Sequence, residues 1–159
     1  MTMYGVRGGK NPLKEFWPIQ TFVPATYNTN ANGGNIDRYR NGGYNALTLE
    51  LLPGLWTDGD HSFVIEEADD NGSGSPSTYA TVAAADLLGD ANAVAVTATI
   101  ASTQFTHITA ATTLVQRIDY IGRKRWVRTR YVNANTGTGT GAAFAVQGLL
   151  FSPAILPAA

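Results

Sequence analysis

Cysteine is absent from the 159 residues. That excludes a disulfide framework, thiolate metal sites, iron–sulfur clusters and a thiol nucleophile. Charge is scarce as well: Asp, Glu, Lys and Arg make up 14% of the chain, against about 25% in an ordinary soluble domain. No apolar run approaches the ~20 residues of a membrane-spanning helix. Residues 1–10 lack the apolar centre of a secretory signal, so neither a membrane nor Sec export is expected. Apolar residues at helical spacing are rare, which leaves little of the chain for helix. One stretch lacks a whole sign of charge, because residues 46–116 contain no Lys or Arg.

What is present is sorted into blocks. Residues 1–45 carry five basic and two acidic groups, residues 46–116 nine acidic groups, and residues 117–159 six basic groups and one acidic. The net charge of −1 conceals this asymmetry. Opposed blocks attract, so they are expected to meet within one fold, with complementary faces on neighbouring subunits as the alternative. The length fits one domain, and a chain of this size buries enough surface to hold a core without staples.

Residues 1–45 hold Gly-Gly pairs at 8–9, 33–34 and 42–43, three prolines (Pro12, Pro18, Pro24) and many Asn. They read as an extended N-terminal arm anchored by Phe16, Trp17, Ile19, Phe22 and Val23. The body, residues 46–159, reads as β-structure. Leu47, Leu49 and Leu51 alternate with Thr48 and Glu50, a half-buried strand that Pro53-Gly54 should stop. A turn at 58–60 leads into His61–Glu67, where Phe63 and Ile65 share a face. Residues 69–76 form a polar turn and 78–84 a further strand. Residues 86–89 read as a single turn, and 93–100 as a weakly alternating strand, with a helix as the alternative. Residues 114–121 lead into 123–132, where Val127, Thr129 and Tyr131 oppose Trp126, Arg128 and Arg130. A Thr/Gly loop at 136–141 precedes the last strand, 142–151, which Pro153 ends. About eight strands at hairpin spacing predict an all-β fold, a β-sandwich or jelly-roll-like single domain with an extended N-terminal arm.

Catalytic furniture is thin. There are two histidines. His61 has Asp58 and Asp60 near it, yet no Gly-x-Ser-x-Gly elbow supplies an activated serine. It reads as a strand-edge residue after a turn, and His107 as a strand residue. The acidic run Asp58, Asp60, Glu66, Glu67, Asp69, Asp70 offers oxygen ligands, but its spacing departs from the EF-hand loop, and 69–72 reads as an Asx-type turn. Gly137, Gly139 and Gly141 precede a strand rather than a helix, so they do not form a dinucleotide cradle. The basic segment Arg123, Lys124, Arg125, Arg128, Arg130 is interleaved with Trp126 and Tyr131. It is expected to pair with the acidic strand at 61–70 rather than with nucleic acid. Glu66, Glu67, Arg128 and Arg130 are therefore the inter-strand or inter-subunit charge candidates. No enzyme activity, metal or cofactor is expected.

Two longer motifs resemble those of a known family. The run TDGDHSFVIEEADDNG at 57–72 resembles the "TDGTHTF-x-x-x-E-S-D-D-G" stretch of a family of small tailed-bacteriophage virion proteins. The likeness continues through YATVAAADLLG at 79–89, and resumes at 118–128, where IDYIGRKRWVR is similar to the family's "IGYxGxKRYVR". It covers about residues 46–157. Asp60 stands where the family commonly has Thr, and Trp126 where it has Tyr. The resemblance implies a capsid decoration, or cement, protein on the outside of the head, with the major capsid protein as partner and a homotrimer by analogy with other decoration proteins. It supplies no catalytic residue. In this reading Phe16, Trp17, Phe22, Arg38 and Arg40 are the contact residues that lie along the capsid or a neighbouring copy. The alternative is a tail-associated structural protein, or a carbohydrate- or receptor-binding sandwich on the virion that uses Trp56, Tyr79 and the acidic loop.

Overall fold

In the computed structural model, which describes residues 16–40, 43–89, 105, 108–111, 115–133 and 141–153, strands follow one another along the chain. They are β1 (Phe16–Tyr27), β2 (Ala31–Asn32), β3 (Ile36–Asp37), β4 (Tyr44–Trp56), β5 (His61–Ala68), β6 (Ala80–Thr81), β7 (Leu87–Gly89), β8 (Gln116–Tyr120), β9 (Trp126–Asn133) and β10 (Ala142–Pro153). A single 3-10 turn at Ala84–Asp86 precedes β7. One sheet has the order β1-β10-β4-β8-β7 and the other β2-β9-β5-β6, with β3 also on β9. Every pairing is antiparallel. With β2 and β3 counted as one interrupted strand and β7 as an added edge, the order is 1-8-3-6 facing 2-7-4-5, the jelly-roll arrangement of an all-β sandwich.

The alternation seen in the sequence sets the two inner faces. Leu47, Leu49 and Leu51 of β4, with Phe144, Val146 and Leu150 of β10, look inward from the first sheet. Phe63 and Ile65 of β5, with Val127 and Tyr131 of β9, meet them from the second. Phe63 and Phe144 touch edge to face at 4.7 Å across the layer.

The expected boundary at 45/46 is not a boundary of the fold. Residues 16–27 form an edge strand hydrogen-bonded along β10, and residues 31–37 add two short strands to the second sheet. Residues 1–15 of the expected arm lie outside the described residues. The physical reason lies in two misleading signals. Pro18 and Pro24 suggest a break, but an edge strand tolerates proline because one side of it needs no ladder donors. The Gly33-Gly34 pair suggests looseness, yet Gly33 is buried where the chain crosses between the sheets. A Cβ there would sit 2.8 Å from the Phe22 ring and 2.9 Å from the Thr129 carbonyl oxygen. Gly33 and Gly34 donate their N–H groups to Thr129 and Thr21 carbonyls.

Other expectations shift by smaller amounts. β4 runs through Pro53-Gly54 to Trp56, because β8 pairs only with residues up to Leu51 and leaves that side of Pro53 without a partner strand. The strand expected at 78–84 shrinks to Ala80–Thr81, and the turn at 86–89 divides into the 3-10 turn and β7. The strand expected at 93–100, His107 and most of the Thr/Gly loop lie outside the described residues.

Phe22, at 3% exposure, packs edge to face on Tyr27 and Phe144. Phe22→Ala should therefore destabilise the domain by about 3–5 kcal/mol, the cost of truncating a core aromatic. Urea unfolding followed by tryptophan fluorescence measures it. An unchanged midpoint would place Phe22 outside the core.

Candidate interaction surfaces

The two long motifs, far apart in the chain, form one seam. β5 and β9 pair so that Glu66 lies opposite Arg128, Glu67 opposite Val127 and Ala68 opposite Trp126. Glu66 accepts from Arg128 Nε at 2.8 Å and Arg130 Nε at 2.7 Å. Arg128 also stacks on Tyr79 at 3.9 Å, and Tyr79 donates to Asn35. Lys124 pairs with Asp69, and Arg125 with both Asp37 and Asp70. Glu67 does not join an arginine: it accepts the hydroxyl proton of Tyr120, whose phenol is buried and held well above its ordinary pKa by burial and by that carboxylate. Of the four charge candidates, Glu66, Arg128 and Arg130 are thus inter-strand partners within one chain, while Glu67 serves the core edge. The opposed blocks meet inside the fold.

Arg38 is equally committed. It is 5% exposed, and its guanidinium donates to the carbonyls of Gly122, Lys124 and Asn45 at 2.7, 2.9 and 3.1 Å while lying 4.8 Å above the Tyr120 ring. Burial lowers its pKa, but a guanidinium stays charged. Arg38 and Phe22 are therefore corrected from contact residues to structural ones, since neither reaches the surface. The side chain of Phe16 lies outside the described residues.

The remaining chemical candidates are also built into the fold. His61 is 1% exposed, with Nε2 at 2.6 Å from the Asp58 carbonyl and Nδ1 at 2.7 Å from the Tyr131 hydroxyl. Asp58 accepts from the Gly141 N–H, joining the 56–61 turn to the start of β10. Asp70 accepts from Gly72 and Gly74 N–H, and Asn71 from Ser73 and Ser75 N–H, the Asx-type turn read from the sequence. Among the described residues no group of three or more His, Asp and Glu is placed to hold a metal ion. Trp56 is half-buried at the end of β4 and donates to the Gly59 carbonyl, while Tyr79 lies against β9 in the other sheet. The two do not form one sugar platform.

Among the described residues two surfaces stay available, at opposite ends of the strands. At the end where β4 begins and β8 finishes, Arg40 stacks on Trp17 at 4.6 Å, Tyr39 is 58% exposed and Ile121 is 49% exposed. Arg123 is exposed beside them. Arg38 fixes this end from beneath, because it holds the backbone of both 44–45 and 122–124. Trp17 and Arg40 were singled out from the sequence. Tyr39 and Ile121 were not, since nothing in an alternating pattern marks residues beyond a strand end as exposed.

At the other end the outer face of the first sheet carries a charge-free groove. It has a volume of about 450 Å³ and is lined by Pro24, Ala25, Thr26, Leu52, Pro53, Gly54, Ala143, Phe144 and Ala145. Two register shifts frame it. On β1 the pairing slips between Phe22 and Ala25, and on β4 it slips between Pro53 and Trp56, so each strand holds one extra residue opposite β10. Such bulges re-aim side chains. Val23 and Leu55, 57% and 77% exposed, belong to β1 and β4, the strands that flank Ala143 and Ala145 of β10. Sequence reasoning missed this groove because the Pro-Gly pair reads as a strand end rather than a bulge.

No protein family, curated protein or solved structure matches this chain.

The seam yields two predictions. Glu66→Ala leaves two guanidinium groups facing each other and should cost about 2 kcal/mol in urea unfolding. This is below the ~3–5 kcal/mol of a fully buried broken pair, because Arg130 reaches solvent. Asp37 receives both Arg125 Nε and Nη2 at 2.9 Å, and this pairing holds its carboxyl below the ordinary 3.8 despite partial burial. A depressed folded pKa stabilises the native state fully above 3.8, and that contribution is lost as pH falls through the folded value. The drop in urea midpoint from neutral pH to pH about 3 should therefore be smaller in Arg125→Gln than in the wild type. Equal drops would remove Asp37 from the acid response.

Proposed function

We propose that this chain is a structural subunit on the outside of a tailed-phage head, which binds the major capsid protein and holds neighbouring capsid subunits together. The observation that carries the reading is the seam. The two stretches that resemble the virion family, 57–72 and 118–128, are the partners of one another: Glu66 with Arg128, Glu67 with Tyr120, Asp69 with Lys124 and Asp70 with Arg125. A likeness in two separate motifs has more weight when each supplies the other's counter-charges, because neither is then an independent coincidence. The seam is scaffold, and it leaves recognition to the surfaces it holds.

The end bearing Trp17, Tyr39, Arg40 and Ile121 is the face this reading assigns to the head. Aromatic and arginine side chains on a rigid base are the usual anchors of protein interfaces. Here the base is rigid because Arg38 ties residues 44–45 and 122–124 together. Binding the assembled lattice more tightly than loose subunits stabilises the lattice by the difference in binding free energy. The reaction is assembly, with no covalent step.

Co-sedimentation with heads of the encoding phage that lack this protein tests the proposal. The wild type should saturate at a copy number fitting the icosahedral lattice. The double variant Tyr39→Ala/Arg40→Ala, truncating two anchors at about 2 kcal/mol each, should bind at least ~100-fold more weakly while unfolding at the same urea concentration. A folded wild-type protein that leaves such heads bare would overturn the head reading. Equal binding by the double variant would overturn the assigned face.

A further inference from the structure

We infer that the end of the sandwich bearing Arg40 and Arg123 recognises an acidic segment of its protein partner, one carboxylate of which is held by Arg40 while a second acidic group meets Arg123. The inference rests on the face assigned above and adds the chemistry that the partner presents to it. Charge accounting comes first. Arg117 pairs with Glu50, Lys124 with Asp69, Arg125 with Asp37 and Asp70, and both Arg128 and Arg130 with Glu66. Arg38 donates to backbone carbonyls. Among the described residues, that leaves Arg40 and Arg123 as the basic side chains received by neither a carboxylate nor a buried carbonyl. Both stand at one end. Arg123 lies between Gly122 and Lys124, whose carbonyls Arg38 holds, and Arg40 follows Arg38 by two residues. The carboxylates of this end are engaged already, Glu67 by the Tyr120 hydroxyl and the others by Lys124 and Arg125.

Geometry prepares Arg40 for a carboxylate. Its guanidinium carbon lies over the Trp17 ring, 4.6 Å from the centroid. A guanidinium on an indole face is attracted to the ring and keeps the donors at the edge of its own plane free. That fork of donors matches a carboxylate with two parallel hydrogen bonds. The Trp17 contact also orders a long side chain in advance, so less rotamer freedom is lost on binding. Tyr39 and Ile121, 58% and 49% exposed, supply apolar area around the charges. The complementary segment is therefore acidic with apolar neighbours.

Charge number separates this partner from nucleic acid. A protein that grips a phosphate backbone neutralises many phosphates, about 6–10 where binding is strong. Here two uncommitted cations stand on a chain of net charge −1, which suits a pair of carboxylates on a protein surface.

The first arm of the test needs no heads. Arginine Nε–H and indole N–H resonances of the isotope-labelled full-length chain are followed during titration with poly-L-glutamate, and separately with a thymidine oligonucleotide at equal charge concentration. Poly-L-glutamate should shift Arg40, Arg123 and Trp17 and leave Arg117, which Glu50 holds, in place. Arg40→Gln should weaken that titration about 5-fold, the worth of one exposed charge pair. No shift at Arg40 and Arg123, an equal shift at Arg117, or tighter binding of the oligonucleotide would each overturn the inference. The second arm uses heads that lack this protein. Arg40→Glu should bind them at least ~10-fold more weakly than Arg40→Gln at low salt, because like charges then face each other, and the gap should close as salt screens them. Arg123→Glu and Arg123→Gln are the second pair if the Arg40 variants do not fold. Equal binding by the Glu and Gln variants would overturn the acidic partner and leave the head reading standing. Heads left bare by the wild type, with the poly-L-glutamate shifts present, would overturn the head reading alone.

Discussion

The pairing of β5 with β9 is the interaction on which the rest of this molecule depends. It joins carboxylates from a stretch without a single Lys or Arg to guanidinium groups from the next block. A slip of one residue would turn Phe63 and Ile65 outward and Glu66 into the core, so hydrophobic pattern and charge specify the same register. The ladder also reaches beyond the two strands. Through Arg125 it takes in Asp37 at the end of β3, and through Tyr120 it reaches β8 in the opposite sheet. Two layers are thereby locked at one end by a connected set of ion pairs and hydrogen bonds.

From that lock the division of labour follows. Arg38 sits beneath the locked end, and its buried guanidinium is spent on backbone carbonyls rather than on a partner outside the chain. Its role is to make the loops above it rigid, and those loops present Tyr39, Arg40 and Ile121, with Arg40 stacked on Trp17 of β1. The opposite end is governed by bulges instead of charge. There the first sheet slips its register twice, and the side chains that alternation would have buried or spaced evenly stand out around a floor of alanine. One end is aromatic and basic, the other apolar and uncharged.

Much of this was legible in the residues. The leucines of β4, the Phe63–Ile65 pair and the Val127–Thr129–Tyr131 face were read correctly because period-two alternation is a direct consequence of the pleat. The pairing of Glu66 with Arg128 and Arg130 followed from the charge blocks. Residues 16–37 belong to the two sheets rather than to an extended arm, because proline and glycine here do not mark breaks. In fact Pro18 and Pro24 sit on an edge strand where a missing donor costs little, and Gly33 is required by close packing against Phe22. Phe22 and Arg38 were good candidates as residue types and wrong as contacts, since the same chemistry that anchors an interface also anchors a core. The groove was illegible: it depends on how three non-adjacent stretches align, and no local pattern encodes that.

Hydrogen exchange on the whole chain, free and bound to heads that lack it, tests the central claim most directly, because it reads the locked scaffold and its surfaces in one experiment. Binding should add protection at residues 38–40 and 121–125, with 61–68 and 126–133 already slow to exchange and unchanged. New protection confined to 61–68 and 126–133, with none at 38–40 and 121–125, would contradict it: the charged seam would then be the recognition surface rather than the frame that holds one.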